Sequence, residues 1–260
     1  MNTPVNLTAL GLMAGFVISI PACADAQTAP SRAARPAPPA SMGWLILGDS
    51  NARGCALGSS ASVPQPFGVL DVLQHRWVDH PMEPYPIGPD HALCQCGPWG
   101  LLAASQGVRF VLGGWAVHGA SARSYEVSEP SWGFYRESAL MMAADATHMA
   151  VWLGTNDALT VEDTERFQAR LDDILTRMLQ LSRGIRQVYL MGNLDPPPFD
   201  DAYVRRYQQI DRDKRLMASL RTRPELPVYY VDLSGIPLGP EGLHPLSYEP
   251  VVERFVGLVR

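Results

Sequence analysis

"WLILGDSNARG", residues 44–54, runs apolar from Trp44 to Leu47 and then turns polar at Gly48, Asp49, Ser50 and Asn51. Four apolar residues with no polar alternation describe a strand covered on both faces, as in the middle of a parallel sheet. The glycine, aspartate, serine and asparagine that follow are turn residues. A serine at that exit stands outside the carboxyl end of a strand, where open parallel sheets hold their ligands.

Further runs of the same kind lie downstream: "VRFVLGGWAV" (108–117), "HMAVWLG" (148–154), "RQVYLMG" (186–192) and "VYYVDL" (228–233). Between them, "DTERFQARLDDILTRMLQL" (163–181) places Phe167, Leu171, Ile174, Leu175 and Met178 on one helical face, with acidic residues in its first turn. Residues 135–146, 201–221 and 247–259 are further helical segments, the last with Pro250 in its first turn, where a missing N–H costs little. Strands that alternate with helices predict an α/β fold, a three-layer α/β/α sandwich around a central parallel sheet of about five strands. Residues 55–100 interrupt the alternation with seven prolines and several glycines, and are expected to form an irregular wall of the site.

The N-terminus has a different character. "LTALGLMAGFVISI" (7–20) is a short apolar run followed by the small-residue stretch "PACADA" (21–26), the pattern of a secretory signal with cleavage after Ala24 or Ala26, although no Lys or Arg precedes Arg32. The run is shorter than the roughly 20 apolar residues that span a bilayer. "IPAC" (20–23) resembles a lipoprotein lipobox, in which Cys23 would be lipidated; a membrane association is expected only in that case. The Ala- and Pro-rich residues 27–42 read as an extended tether, and residues 43–260 as one folded domain. The chain is therefore expected to be exported, to the periplasm or beyond.

With 47% hydrophobic and 18% charged residues, the 260-residue chain can bury one sizeable core. A formal charge of -5, without a basic cluster, supplies no electrostatic footprint for nucleic acid. Beyond Cys23, the cysteines are Cys55, Cys94 and Cys96, which permit one disulfide, from Cys55 to one of the other two, and carry no Cys-x-x-Cys metal spacing.

A serine hydroxyl becomes a nucleophile only with a base to take its proton and donors to hold the oxyanion. Three later segments offer these groups: "VHGASARSY" (117–125), "LGTND" (153–157) and "EGLHPLSYE" (241–249). With "LGDSNARG", these blocks in this order resemble the SGNH (GDSL-type) serine hydrolases, over residues 44 to about 258. The resemblance implies a flavodoxin-like fold, Ser50 as nucleophile and His244 as general base. It also implies an oxyanion hole made by the Ser50 and Gly119 N–H groups and the Asn156 amide, with no metal or cofactor. Asn51, His118 and Asp157 are the neighbouring positions expected to meet substrate.

The family's usual acid is an Asp three residues before the His, and that position is Glu241 here. Three arrangements stay open: a Ser50–His244–Glu241 triad, which is preferred; a Ser–His dyad oriented by a backbone carbonyl; or assistance from Asp232. The motif is not the Gly-x-Ser-x-Gly elbow of α/β-hydrolases, because Ala52 takes the last place.

More loosely, residues 85–126 resemble the carbohydrate O-acetylesterase branch related to sialate O-acetylesterases. The implied partner is a small-molecule or glycan ester that loses an acetyl or other short acyl group, with Trp99, Trp115, Trp132, Tyr125 and Tyr135 either stacking on sugar rings or packing the core. Lysophospholipase, thioesterase or O-acyltransferase chemistry would use the same residues, and a non-catalytic glycan-binding protein could keep the same fold.

Overall fold

The computed structural model describes residues 41–53, 67–71, 76–80, 98–99, 101–102, 109–116, 119–141, 143, 145–240 and 242–259. The leader and tether, Cys55, Cys94, Cys96, His118 and Glu241 lie outside the described residues.

Seven strands form one sheet: β1 (Ser41–Gly48), β2 (Phe67–Asp71), β3 (Arg76–His80), β4 (Arg109–Ala116), β5 (Ala146–Trp152), β6 (Gln187–Met191) and β7 (Val228–Val231), in the order β3-β2-β4-β1-β5-β6-β7. The strands expected from the apolar runs are β4, β1, β5, β6 and β7, and they are parallel throughout. Numbered among themselves, they take the 2-1-3-4-5 order of doubly wound sheets. The order reverses between β1 and β5, which makes that crevice the topological switch point.

β2 and β3 correct the expectation for residues 55–100. They pair antiparallel with each other, and β2 adds in parallel to β4, so part of this segment extends the sheet. Each is five residues long; β2 is apolar from Phe67 to Leu70, whereas β3 has only Trp77 and Val78 as apolar residues.

The helices whose bounds are described are α1 (Ser50–Arg53), α2 (Trp132–Met141), α3 (Val161–Leu181), α4 (Asp201–Arg221) and α5 (Glu249–Val256). α3 starts two residues before its sequence-expected position because Thr160 caps it, its hydroxyl accepting the Asp163 N–H at 3.0 Å. α4 has the expected bounds and is capped by Asp200, whose carboxylate accepts the Tyr203 N–H at 2.7 Å. α2 starts and ends earlier than expected, and Ala146 opens β5 instead of closing a helix.

Alternation along β1 shows why the sandwich has three layers. Leu45 and Leu47 join a core with Met149, Val151, Phe167, Leu171, Ile174 and Tyr207. Trp44 and Ile46 join another, with Trp99, Trp152, Tyr189, Tyr248 and Phe255. Successive side chains of a strand leave opposite faces, so both faces of β1 are covered.

Candidate active site

β1 delivers the serine. Its last residue, Gly48, is gripped by the Tyr125 hydroxyl, which accepts the Gly48 N–H at 2.7 Å and faces the Gly48 carbonyl at 3.2 Å. The Asp49 N–H then donates to the Trp152 carbonyl at the end of β5, and an Asp49 carboxylate oxygen accepts the Asn51 N–H at 2.9 Å. Asp49 thereby closes the turn with its own side chain, and α1 begins at Ser50. Tyr248, at the start of α5, donates to the Asn51 carbonyl from the other side at 3.1 Å.

His244 comes from a loop laced by backbone bonds. The Gly239 N–H donates to the His244 carbonyl at 2.8 Å, and the Leu246 N–H to the Pro237 carbonyl at 2.8 Å. The imidazole Nε2 lies 2.8 Å from Ser50 Oγ, a hydrogen bond between residues 194 positions apart. That separation is within the range required of a nucleophile and its base.

Asn156 lies in the turn after β5. One of its amide N–H bonds goes to the Ala120 carbonyl at 2.8 Å, which orients the amide plane and leaves the second N–H for another acceptor. Gly119, next to Ala120, has φ +77°, a left-handed conformation suited to glycine, and a Cβ there would meet no atom within 4 Å. The Asn156 amide and the Gly119 turn are thus joined through Ala120.

The other expected site residues occupy different places. Asp157 is fully buried; its Oδ1 accepts the Ala122 N–H at 2.8 Å and its Oδ2 has no hydrogen-bond partner among the described residues. Burial pushes its carboxyl up to about 7, against the Ala122 hydrogen bond. Asn51 is also buried, and its amide reaches Thr155 Oγ1 at 3.4 Å. Both side chains are buried, and their hydrogen bonds tie the Ser50 turn and the segment after Gly119 to the loop that follows β5. Asp232 is committed elsewhere as well: partial burial would raise its pKa, but the Ser234 hydroxyl and N–H and the Arg215 guanidinium hold it below the usual carboxylate value.

Three of the aromatic residues pack the core. Tyr125 and Tyr135 are buried and stacked with centroids 3.8 Å apart, and Trp99 is buried with its indole N–H on the Ala52 carbonyl at 2.7 Å. Trp132 is partly exposed, beneath the Arg177 guanidinium.

Beneath the site lies a charged group that the motifs do not reveal. Lys214, on α4, is 2% exposed and donates to the Met191 carbonyl at 2.9 Å and to Asn193 Oδ1 at 2.6 Å. Burial lowers its pKa to about 8, opposed by Asp211, Asp49 and Asp157. Asp49 responds in the opposite direction: burial raises it to about 6, moderated by the Asn51 N–H, Lys214 and Thr155. The signal was the spacing of Tyr203, Tyr207, Ile210, Lys214 and Met217, which places the lysine on the apolar stripe of its helix.

No protein-family model matches the chain, and no curated protein matches it in sequence. Solved structures match in fold. A protein from Arabidopsis thaliana superposes with a TM-score of 0.63 at 14% identity, over 85% of this chain and 96% of that one. NanS superposes with a TM-score of 0.59 at 10% identity, over 84% and 96%. A carbohydrate esterase family 3 protein from Talaromyces cellulolyticus superposes with a TM-score of 0.52 at 14% identity, over 84% and 95%. The chain has the fold shared by these proteins, the fold expected from its resemblance to SGNH hydrolases.

Proposed function

We propose that the protein is an exported serine esterase of the SGNH type that removes acetyl or other short acyl groups, with a carbohydrate ester as the substrate class. The observation that carries the reading is the 2.8 Å contact between His244 Nε2 and Ser50 Oγ, at the switch point of a doubly wound sheet. The preference for acetylated carbohydrate draws on the fold neighbours that are described as carbohydrate and acetyl esterases.

In the proposed cycle, Ser50 Oγ attacks the ester carbonyl carbon while its proton passes to His244 Nε2. The negative charge that develops on the carbonyl oxygen is received by the Ser50 and Gly119 N–H groups and the second N–H of Asn156. Collapse breaks the bond to the alcohol oxygen, which takes the proton from His244 and departs, leaving acyl-Ser50. Water, deprotonated by His244, attacks the acyl carbon; collapse releases the carboxylic acid as Ser50 takes back the proton. Glu241 is the proposed orienter of the imidazole.

The test is hydrolysis of 4-nitrophenyl acetate, butyrate and octanoate by the full chain and by its Ser50→Ala variant, together with labelling by a fluorophosphonate. Hydrolysis fastest on acetate, and both hydrolysis and labelling lost with Ser50, is the expected result. A folded protein that neither labels nor hydrolyses any of the three is a binding protein on this fold, and preference for octanoate points to lipid esters. Export is tested by N-terminal sequencing of the mature protein: cleavage after Ala24 or Ala26 fits the proposal, and a lipidated Cys23 adds a membrane anchor.

A further inference from the structure

The ends of β5 and β6, beside the candidate site, meet at one buried cation. Lys214 Nζ spends two of its N–H donors on the Met191 carbonyl, the last residue of β6, and on Asn193 Oδ1 just beyond. It also lies against the exit of β5. A Cβ on Gly154, where φ is +127°, would come within 3.2 Å of Nζ and 3.1 Å of Asn193 Oδ1, so only a glycine lets the backbone approach this closely. Toward β1 its charge acts on Asp49, and after β5 on Asp157, while Asp211 on its own helix completes the set of charged groups that it senses.

Asn193 cannot turn away from the ammonium without loss. Its amide N–H donates to the Tyr207 carbonyl at 2.8 Å, and its backbone N–H to Asp211 Oδ1 at 2.8 Å, which also receives the Tyr230 hydroxyl at 2.7 Å. The same helix reaches the loop after β5 at its other end, where the Tyr203 hydroxyl donates to the Thr155 carbonyl at 3.0 Å and Arg206 Nε to the Ala158 carbonyl at 2.7 Å. Those contacts bracket Asn156.

We infer that Lys214 is a positioning residue for the oxyanion hole: a buried ammonium that ties the ends of β5 and β6 to α4 and compensates the carboxylates beside Ser50 and Asn156. The inference rests on the esterase reading, since it assigns Lys214 a role in that site. A cation left out of water is costly unless its hydrogen bonds and counter-charges are met; here the end of β6 supplies the hydrogen bonds, and Asp49 and Asp157, next to Ser50 and Asn156, supply counter-charge. Two buried carboxylates near a developing oxyanion would oppose it, and the ammonium offsets that field.

The experiment is a double-mutant cycle with Lys214→Met and Asp49→Asn in the full chain, read by thermal melting and by kinetics on 4-nitrophenyl acetate well below each Tm. Lys214→Met is expected to lower kcat about tenfold or more and leave KM within about twofold, because misplacement of the donors is felt in the transition state. Asp49→Asn is expected to lower Tm less in the Lys214→Met background than in the wild type, since the two charges are coupled. If Lys214→Met does not fold, Lys214→Gln, which keeps a donor and loses the charge, carries the same comparison. Unchanged kcat in a folded variant, an effect confined to KM, or additive Tm shifts would overturn the inference. A wild-type protein without esterase activity would defeat the functional reading and, with it, the oxyanion-hole role, whereas additive Tm shifts in an active enzyme would defeat the inference alone.

Discussion

At the scale of single residues, Asn156 and Asp157 are neighbours with opposite environments. Asn156 is partly exposed, with one N–H anchored on Ala120. In its proposed role as an oxyanion donor, removal of its amide costs about 2.7–4 kcal/mol of transition-state stabilisation. Asn156→Ala should therefore lower kcat some 10²–10³-fold with little change in KM, measured by steady-state hydrolysis of 4-nitrophenyl acetate. Asp157 is sealed beneath it, and its folded pKa of about 7 exceeds the ordinary 3.8. The folded state then binds its proton more tightly than the unfolded chain does, so this group's contribution to stability is fully present below about pH 4 and is lost as pH rises toward 7. Asp157→Asn keeps the acceptor for Ala122 and removes the titration. Urea unfolding across pH 4 to 8 should show the variant gaining stability relative to wild type as pH rises through that window, and a constant difference would contradict the assignment.

Among the elements, α5 closes the sheet face opposite α3 and α4. Phe255 is fully buried and meets Trp44, Trp99 and Tyr189 with centroids 5.5, 6.0 and 4.8 Å away. Those aromatic contacts join α5 to β1 and β6, and Tyr248 at its start ties the same helix to the Ser50 turn. Phe255→Ala should cost about 3–5 kcal/mol of stability, read by urea denaturation, as a cavity opens among large rings that cannot collapse into it. α3 is fastened differently: buried Arg170 pairs with Glu126 at 2.5 Å and Asp163 at 2.6 Å, joining the helix to the segment after the Ala122–Tyr125 turn. Breaking such a pair by removing one partner is far more damaging than replacing the whole pair with apolar groups.

For the whole molecule, the sheet order brings Ser50, Asn156 and the Gly119 turn to one end of neighbouring strands, and the Pro237–Leu246 loop returns His244 to them. Strand ends that splay apart at a switch point leave a crevice without a dedicated pocket-forming domain. The proposed chemistry is carried by side chains and backbone N–H groups alone, so dialysis against a chelator should leave hydrolysis of 4-nitrophenyl acetate unchanged. Loss of activity that returns on adding a divalent metal would require a different mechanism.

The continuous apolar runs at 44–48, 108–117, 148–154, 186–192 and 228–233 determined the parallel core of the sheet, because a strand covered on both faces has no polar alternation to hide it. Motif order alone singled out Ser50 and His244, and the fold brings them within hydrogen-bond distance. Only tertiary structure decided the rest. β2 and β3 are short, and β3 has only Trp77 and Val78 as apolar residues; they become a strand pair beside the edge that β4 offers. Tyr125, Trp99 and Asp157 are types that could equally meet a ligand, and which of them is buried depends on the layer that lands on top of it. Lys214 is the clearest case: composition assigns a lysine to the solvent, whereas the fold seals it in with a carbonyl, an amide and three carboxylates around it. Local sequence sets which segments are apolar, but the partners that make a buried charge tolerable come from four separate stretches of chain, and only their assembly brings them together.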